Sequence, residues 1–100
     1  MNKLNLLLLC ICFFNISFAQ NKEVSGIVFS SETNLPIEFI NVGVVNSTVG
    51  TITDSNGIFK LSIPKELLDN EIKIKSIEYE TKIFKISQLT QIENKIYLNP

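Results

Sequence analysis

Apolar and polar residues alternate along most of the chain after residue 19, with a period of two. Residues 71–77 show the pattern most clearly, because Ile72 and Ile74 fall on one face of an extended segment and Lys73 and Lys75 fall on the other. A period of two is typical of half-buried β-strands, whereas an amphipathic helix repeats every 3.6 residues. The pattern therefore predicts a β-protein whose strands each have one solvent-facing side.

The predicted strands are short and are separated by polar or turn-forming residues. They span residues 24–29, 37–46, 71–77, 79–86 and 94–98, with two more on either side of a turn inside residues 50–63. Segment 37–46 is apolar on both faces, which favours the centre of a sheet. Residues 65–70 are predicted to form one helical turn or a loop that brings Leu67 or Leu68 onto the core, and residues 87–93 a polar connection. Seven strands at this spacing indicate an all-β fold, a seven-stranded antiparallel sandwich.

The strongest local signal is the stretch 50–61, which predicts two strands joined by a tight turn. The pair Asn56-Gly57 tolerates the positive φ angles of such turns, and the Asp54 side chain can accept hydrogen bonds from nearby backbone amides. The apolar residues after the turn alternate with polar ones; they are Phe59, Leu61 and Ile63. We therefore expect a β-hairpin here, with Gly57 at a position of positive φ.

The N-terminal segment, residues 1–19, has the layout of a secretory signal peptide. Lys3 precedes an uninterrupted apolar run of nine residues, 6–14, and the small residues Ser17 and Ala19 precede a polar stretch. Cleavage is expected between Ala19 and Gln20, which leaves residues 20–100 as one domain. A membrane anchor needs about 20 apolar residues, so the run is too short to span a bilayer. A lipoprotein signal would need small residues just before Cys10, and leucines stand there instead.

The amino-acid composition argues against several classes of function. Nine lysines and ten acidic residues give a net charge of −1 without a basic cluster, so we expect no nucleic-acid partner. Histidine, tryptophan and arginine are absent, and both cysteines, Cys10 and Cys12, lie in the segment expected to be removed. The commonest general base and metal ligand are therefore missing, as is a thiol in the mature chain. The sequence predicts no enzyme, and no catalytic residue, cofactor-binding residue or metal ligand.

Two groups of carboxylates invite a chemical interpretation. Asp54, Asn56 and Gly57 superficially resemble part of a calcium loop, but the long loop that ends in a glutamate is missing, so a turn is the preferred interpretation. Glu78 and Glu80 could be a catalytic pair. On a strand they would share one solvated face, so we interpret them as an exposed sheet edge.

Three aromatic residues suggest a binding alternative. Tyr79, Phe84 and Tyr97 would form a platform for sugar stacking if they lay side by side, although strand aromatics are more often core or interface residues.

The residues 46–48, Asn-Ser-Thr, match the acceptor pattern for N-glycosylation, which has meaning only in a eukaryotic secretory route. The preferred interpretation of that triplet is a turn.

Residues 24–98 resemble the carboxypeptidase-regulatory-like domain, a transthyretin-like (prealbumin-like) Greek-key sandwich of seven strands. The most specific matched segment is Thr-Asp-x-x-Gly-x-Phe at residues 53–59. The other matched positions are Gly26, Val28, Pro36, Ile37, Asn41, Val42, Gly50, Thr51, Ile63 and Pro64. In this family a glycine usually precedes the aromatic residue of the fifth strand, and Glu78 stands there in this chain.

The resemblance implies a non-catalytic module of exported bacterial proteins. Such domains are similar to the non-catalytic β-domain that follows the catalytic domain in some metallocarboxypeptidases, and they often stand at the N-terminus of TonB-dependent outer-membrane receptors. A zinc peptidase site or a transthyretin-like hydrolase site would need histidines, which this chain lacks. The expected function is structural or protein–protein contact with an exported or outer-membrane protein at the envelope of a Gram-negative bacterium. In this interpretation the protein is periplasmic, outer-membrane-associated or secreted, and is not an integral membrane protein after signal cleavage. The alternative is a carbohydrate- or peptide-binding domain.

Overall fold

Seven β-strands and two short 3-10 helices form the regular structure of the residues that the computed structural model describes, 21–89 and 94–100. The strands are β1 (Lys22–Ser30), β2 (Asn41–Val44), β3 (Gly50–Ile52), β4 (Ile58–Ile63), β5 (Glu71–Lys75), β6 (Lys82–Lys85) and β7 (Asn94–Leu98). The 3-10 helices are Lys65–Leu67 and Ile86–Gln88. The predicted signal peptide and its cleavage site lie outside the described residues.

The strands form two sheets, one in the order β4-β1-β7 and one in the order β3-β2-β5-β6. The predicted all-β sandwich of seven strands is confirmed for the described part of the chain. One pairing departs from the antiparallel prediction, because β7 runs parallel to β1, with Gly26 opposite Asn94 and Ser30 opposite Leu98. Parallel neighbours cannot be joined by a hairpin. The chain reaches β7 only after it has passed through the other sheet.

The expected hairpin at residues 50–61 is wrong in its strand pairing. Strand β3 pairs with β2 in the four-stranded sheet, whereas β4 pairs with β1 in the three-stranded sheet. The turn between them is present: Gly57 has φ of 73°, and its amide donates to the Asp54 carbonyl oxygen over 2.9 Å. Alternation reports which face of a strand is buried and does not identify its partner. The segment is therefore a corner that carries the chain from one sheet to the other.

The core lies between the two sheets and is built from alternate residues of the strands. In β5, Ile72 and Ile74 are buried and Lys73 and Lys75 are exposed, as predicted. The buried apolar residues are Val24, Val28, Ile40, Val42, Val44, Phe59, Leu61, Ile63, Ile72, Ile74, Ile86, Leu89, Ile96 and Leu98. Leu67 and Leu68 pack against this core from the first 3-10 helix and its end, which confirms the prediction for residues 65–70.

Three predicted strands are shorter than expected at one end of the four-stranded sheet, where β5 ends at Lys75 instead of residue 77. Strand β2 begins at Asn41 instead of residue 37, and it lies at the centre of the sheet, between β3 and β5. Strand β6 begins at Lys82 instead of residue 79. Residues 37–40 and 76–81 are loops instead, and their side chains are no longer constrained by the period of two.

Candidate protein-contact surface

Large apolar side chains are exposed at one end of the four-stranded sheet. Phe39 is 73% exposed and Ile77 is fully exposed, while the neighbouring Ile52 is about half exposed. Phe39 lies just before β2 and Ile77 lies just after β5, and these strands are antiparallel neighbours with Asn41 opposite Lys75. Because the two loops leave the same end of this strand pair, they lie side by side.

The two loops line one groove of about 290 Å³, which we call the end groove. Its lining residues are Ile37, Glu38, Phe39, Ile40, Asn41, Ser76, Ile77, Glu78 and Tyr79. Ile40 is buried in the core, so the base of the groove is fixed, whereas Phe39 and Ile77 extend into solvent at its rim. Small-molecule sites usually measure about 300–1,000 Å³. The end groove is thus at the lower limit for a ligand pocket and suits one or two side chains of a partner.

Thr53 holds the loop that carries Phe39. Its hydroxyl donates to the Ile37 carbonyl oxygen over 2.7 Å and accepts from the Ile40 amide over 2.9 Å. Its backbone amide donates to the Ile40 carbonyl oxygen, and its carbonyl oxygen accepts from the Phe39 amide, both over 3.0 Å. Thr53 is only 2% exposed, so its own donor and acceptor atoms are shielded from water.

Phe39 has an unusual backbone conformation, with φ of 64°. The left-handed region costs a residue with a Cβ atom about 1–2 kcal/mol, and such conformations persist only where surrounding contacts impose them. The hydrogen bonds from Thr53 supply that constraint. As a result the Phe39 ring is directed into solvent while the next residue, Ile40, enters the core.

The charges at the end groove are acidic. Glu38 and Glu78 line it, both are exposed, and none of its lining residues is a lysine. Three lysines of the same sheet lie on its outer face, where Lys73 and Lys75 alternate with the buried residues of β5 and Lys85 stands opposite Glu71. The fourth, Lys82, is half-buried opposite Ile74 and does not line the groove. The groove and the adjoining sheet face therefore carry opposite charges.

The Asp54 carboxylate stabilises the corner between the sheets. Its Oδ1 atom accepts hydrogen bonds from the backbone amides of Asn56 and Ile58, each over 2.9 Å. This is the Asx-turn geometry that the sequence predicted, and the interpretation of residues 54–57 as a turn is confirmed. Within residues 21–89 and 94–100 there is no group of three or more side chains of the types that bind metals.

The other residues that the sequence suggested as functional do not cluster in the structure. Glu78 and Glu80 lie in the exposed loop before β6 and not on a strand. Tyr79 and Phe84 pack against the core beneath the four-stranded sheet, whereas Tyr97 lies on β7 of the other sheet, so the three aromatic residues do not form a common platform. Tyr97 instead stacks on Phe29, with ring centroids 5.2 Å apart and planes 21° from parallel.

The Asn-Ser-Thr triplet at residues 46–48, predicted to be a turn, lies in the turn between β2 and β3. Asn46 is exposed and has φ of 60°, and the Ser47 hydroxyl donates to the Val44 carbonyl oxygen over 2.9 Å. The triplet therefore supplies the chain reversal between these strands, whatever its chemistry.

The sequence interpretation missed Phe39, Ile77 and Thr53 as functional candidates. It placed the first two on strands, and it considered Thr53 only as part of the family pattern. One signal was available for Phe39: it is adjacent to Ile40, and only one of two consecutive strand residues can face the core. No comparable signal marks Thr53, because its partners lie 13 and 16 residues away along the chain.

No helix among the described residues combines the length and the apolar character that a membrane span requires.

Comparisons with known proteins agree with the fold. No curated protein matches this chain. A chain of the crystal structure of a type II cohesin–X-dockerin complex from Acetivibrio cellulolyticus, a C-terminal interface mutant, is similar, with a TM-score of 0.50 and 24% sequence identity. The match covers 76% of this chain and 51% of that chain, about half of its length, and it shows a shared fold only. The family model of the CarboxypepD_reg-like domain matches residues 24–100, and the chain therefore belongs to the CarboxypepD_reg-like domain family.

Proposed function

We propose that this protein is a non-catalytic exported module that acts by protein–protein contact at the bacterial cell envelope, as an N-terminal extension does in TonB-dependent receptor-type proteins. The family is a regulatory, non-catalytic type of domain. The sequence contains no histidine, and the segment 1–19 has the pattern of an export signal. These features support contact at the envelope as the role of the domain.

The observation that carries the proposal is the end groove, where Phe39, on a loop held by Thr53, and Ile77 are both exposed. Large apolar side chains at this degree of exposure gain free energy when a partner covers them, about 25 cal/mol for each Å² of apolar surface buried. Because Thr53 already orders the loop of Phe39, little additional ordering is needed on binding.

The contact extends beyond the groove. Stable protein interfaces bury about 1,200–2,000 Å² in total, which is more than two loops supply. Ile52, on the adjoining strand, and Ile83, on the outer face of β6, are both about half exposed and lie on the same sheet. We place the centre of the interface at Phe39 and Ile77 and its periphery on this sheet face.

Photo-crosslinking in the native envelope tests the proposal. Benzoylphenylalanine replaces Phe39 in one variant, and in the matched control it replaces Tyr97, which is an exposed aromatic residue of the other sheet. We expect position 39 to cross-link to one defined envelope protein, identified by mass spectrometry, and the unlabelled variant Ile77→Ser to compete poorly for that partner. Identical cross-linking from positions 39 and 97, or none from position 39, contradicts the proposal.

Saccharide binding is a second candidate, and the stacked pair of Phe29 and Tyr97 favours it. Tyr97 is 42% exposed on a flat strand surface, where an aromatic face is open to a sugar ring. Titration with soluble envelope polysaccharide distinguishes this function, because Tyr97→Ala would abolish binding while Phe39→Asn would not. Binding that is lost with Phe39→Asn and retained with Tyr97→Ala excludes the saccharide site.

A further inference from the structure

The end groove combines apolar side chains with an excess of negative charge. Phe39, Ile77 and Tyr79 supply the apolar surface, and Glu38 and Glu78 supply two carboxylates. The two carboxylates belong to different loops, the one before β2 and the one after β5, and both line this groove. Two carboxylates in one groove, without a lysine among its lining residues, favour a positively charged group there.

The negative charge of the groove is a local feature and not a reflection of overall charge. The full chain has nine lysines against ten acidic residues, a net charge of −1. Lys73, Lys75 and Lys85 lie on the neighbouring sheet face and do not line the groove. The groove thus favours a positively charged segment, while the sheet face beside it would contact a less basic part of the same partner.

Resting on the protein-contact function above, we propose that the end groove binds a segment of a partner protein in which an apolar side chain is flanked by lysine or arginine. The apolar side chain packs between Phe39 and Ile77, and the flanking cations pair with Glu38 and Glu78. The volume of about 290 Å³ accommodates one or two such side chains. Rim charges of this kind set partner choice and association rate more than total affinity.

A second copy of this chain is the competing occupant. The outer face of the four-stranded sheet offers the same chemistry, since the exposed Ile83 stands opposite Lys73. That face is a flat strand surface, however, whereas a groove between loops accepts a protruding segment. Contact of the end groove with the sheet face of the next molecule would also be heterologous, so that it would repeat without closing unless its rotation formed a ring. A protruding segment of a different protein fits the groove and does not create a repeating contact. We therefore favour it as the occupant.

The test uses defined peptides and isotope-labelled protein purified after expression of the full-length chain. The probes are the synthetic peptides Lys-Leu-Lys-Leu-Lys, Lys-Ser-Lys-Ser-Lys and Glu-Leu-Glu-Leu-Glu, each titrated while amide chemical shifts are recorded. We expect the first peptide to bind tightest, with shift changes concentrated in residues 37–41 and 76–79, and its affinity to fall with added salt.

The matched variants separate local charge from net charge. The double variant Glu38→Gln/Glu78→Gln should weaken binding of Lys-Leu-Lys-Leu-Lys by about fivefold. The control Glu23→Gln/Glu32→Gln changes the net charge equally at exposed residues that do not line the groove, and it should change affinity less than twofold.

Three outcomes overturn the inference: equal binding of the acidic peptide, equal effects of the two double variants, or shift changes centred outside the groove. Concentration-dependent self-association that is lost in Ile77→Ser identifies the second copy as the occupant and also overturns it. If the cross-linked envelope partner depends on Ile77 but not on Glu38 and Glu78, the proposed function stands and only the charge-selective segment is wrong.

Discussion

Gly57 illustrates how one residue meets two requirements at the corner between the sheets. Its φ of 73° disfavours any side chain, and a Cβ atom there would lie 2.7 Å from the Val28 carbonyl oxygen and 2.8 Å from the Pro36 Cβ atom. Its own carbonyl oxygen accepts from the Val28 amide over 2.9 Å, so the backbone cannot move away without loss of that bond. The backbone conformation and the lack of space therefore both exclude a side chain at position 57.

Replacement Gly57→Ala should lower the free energy of unfolding by about 2–5 kcal/mol, as the sum of the left-handed backbone term and the overpacking term. Ser55→Ala, at an exposed position of the same turn, should stay within about 0.5 kcal/mol of the parent. Urea denaturation of both variants measures the difference. Equal midpoints would show that the corner tolerates a side chain and that its close contacts relax.

Thr53 offers a second test at this scale. Thr53→Val keeps the shape of the side chain but removes the hydroxyl that satisfies Ile37 and Ile40, which should cost about 2–4 kcal/mol because two backbone groups lose a buried partner. The Ile40 amide should also exchange with solvent faster in hydrogen-exchange mass spectrometry or NMR. The control is Thr51→Val on the adjacent strand, for which we expect little loss. Unchanged protection of Ile40 would mean that the loop is ordered without this hydroxyl.

At the scale of the element, the sequence predicted well which face of a strand is buried. It predicted poorly which strands pair with one another. The alternation of Ile72 and Lys73 fixed which side of β5 is buried, because each side chain responds to its own strand. The pairing of β3 with β2 and of β4 with β1 depends on how the two sheets assemble as a whole. The turn signal at residues 54–57 is the same whether the strands on its two sides pair with each other or belong to different sheets. The end groove was hard to predict for a related reason: the loop of Phe39 is held by Thr53, which is distant along the chain.

Two strand glycines give a matched prediction for packing between elements. A Cβ atom on Gly26, in the central strand β1, would lie 2.7 Å from both the Asn94 carbonyl oxygen and the Phe59 ring, whereas on Gly43 the nearest atom would be the Val49 carbonyl oxygen at an ordinary 3.5 Å. Gly26→Ala should therefore destabilise by about 1–3 kcal/mol. Gly43→Ala should be neutral or stabilise by about 0.5 kcal/mol, because alanine loses less backbone entropy on folding.

Thermal denaturation of the Gly26→Ala and Gly43→Ala variants measures whether overpacking destabilises the first and whether the smaller entropy loss stabilises the second. For a domain of this size, 1 kcal/mol corresponds to a shift of about 4–8 °C in Tm. A loss of similar size in both variants would indicate that the outer face of β2 is as tightly packed as the contact between β1 and β7.

At the scale of the whole molecule, the export prediction concerns residues outside the described structure. We expect the secreted form to begin at Gln20 and to contain no cysteine, because the apolar run is too short to anchor and Ser17 and Ala19 suit the peptidase. Mass spectrometry of the protein recovered from the envelope measures this directly. An intact Met1, or a lipid-modified Cys10, would contradict the prediction.

The parallel pairing of β1 with β7 has a kinetic consequence. The first strand of the domain is central in its sheet, and one of its two partners is β7, the last strand of the domain. A chain that emerges from a translocation channel or a ribosome with its N-terminus first cannot complete this sheet until its last strand is free. Folding dominated by such remote contacts is slow, since the loop must close before the contacts stabilise it. The half-emerged chain therefore exposes one edge of β1 throughout its passage, and this is the interval in which a chaperone would recognise it and in which aggregation is most favourable.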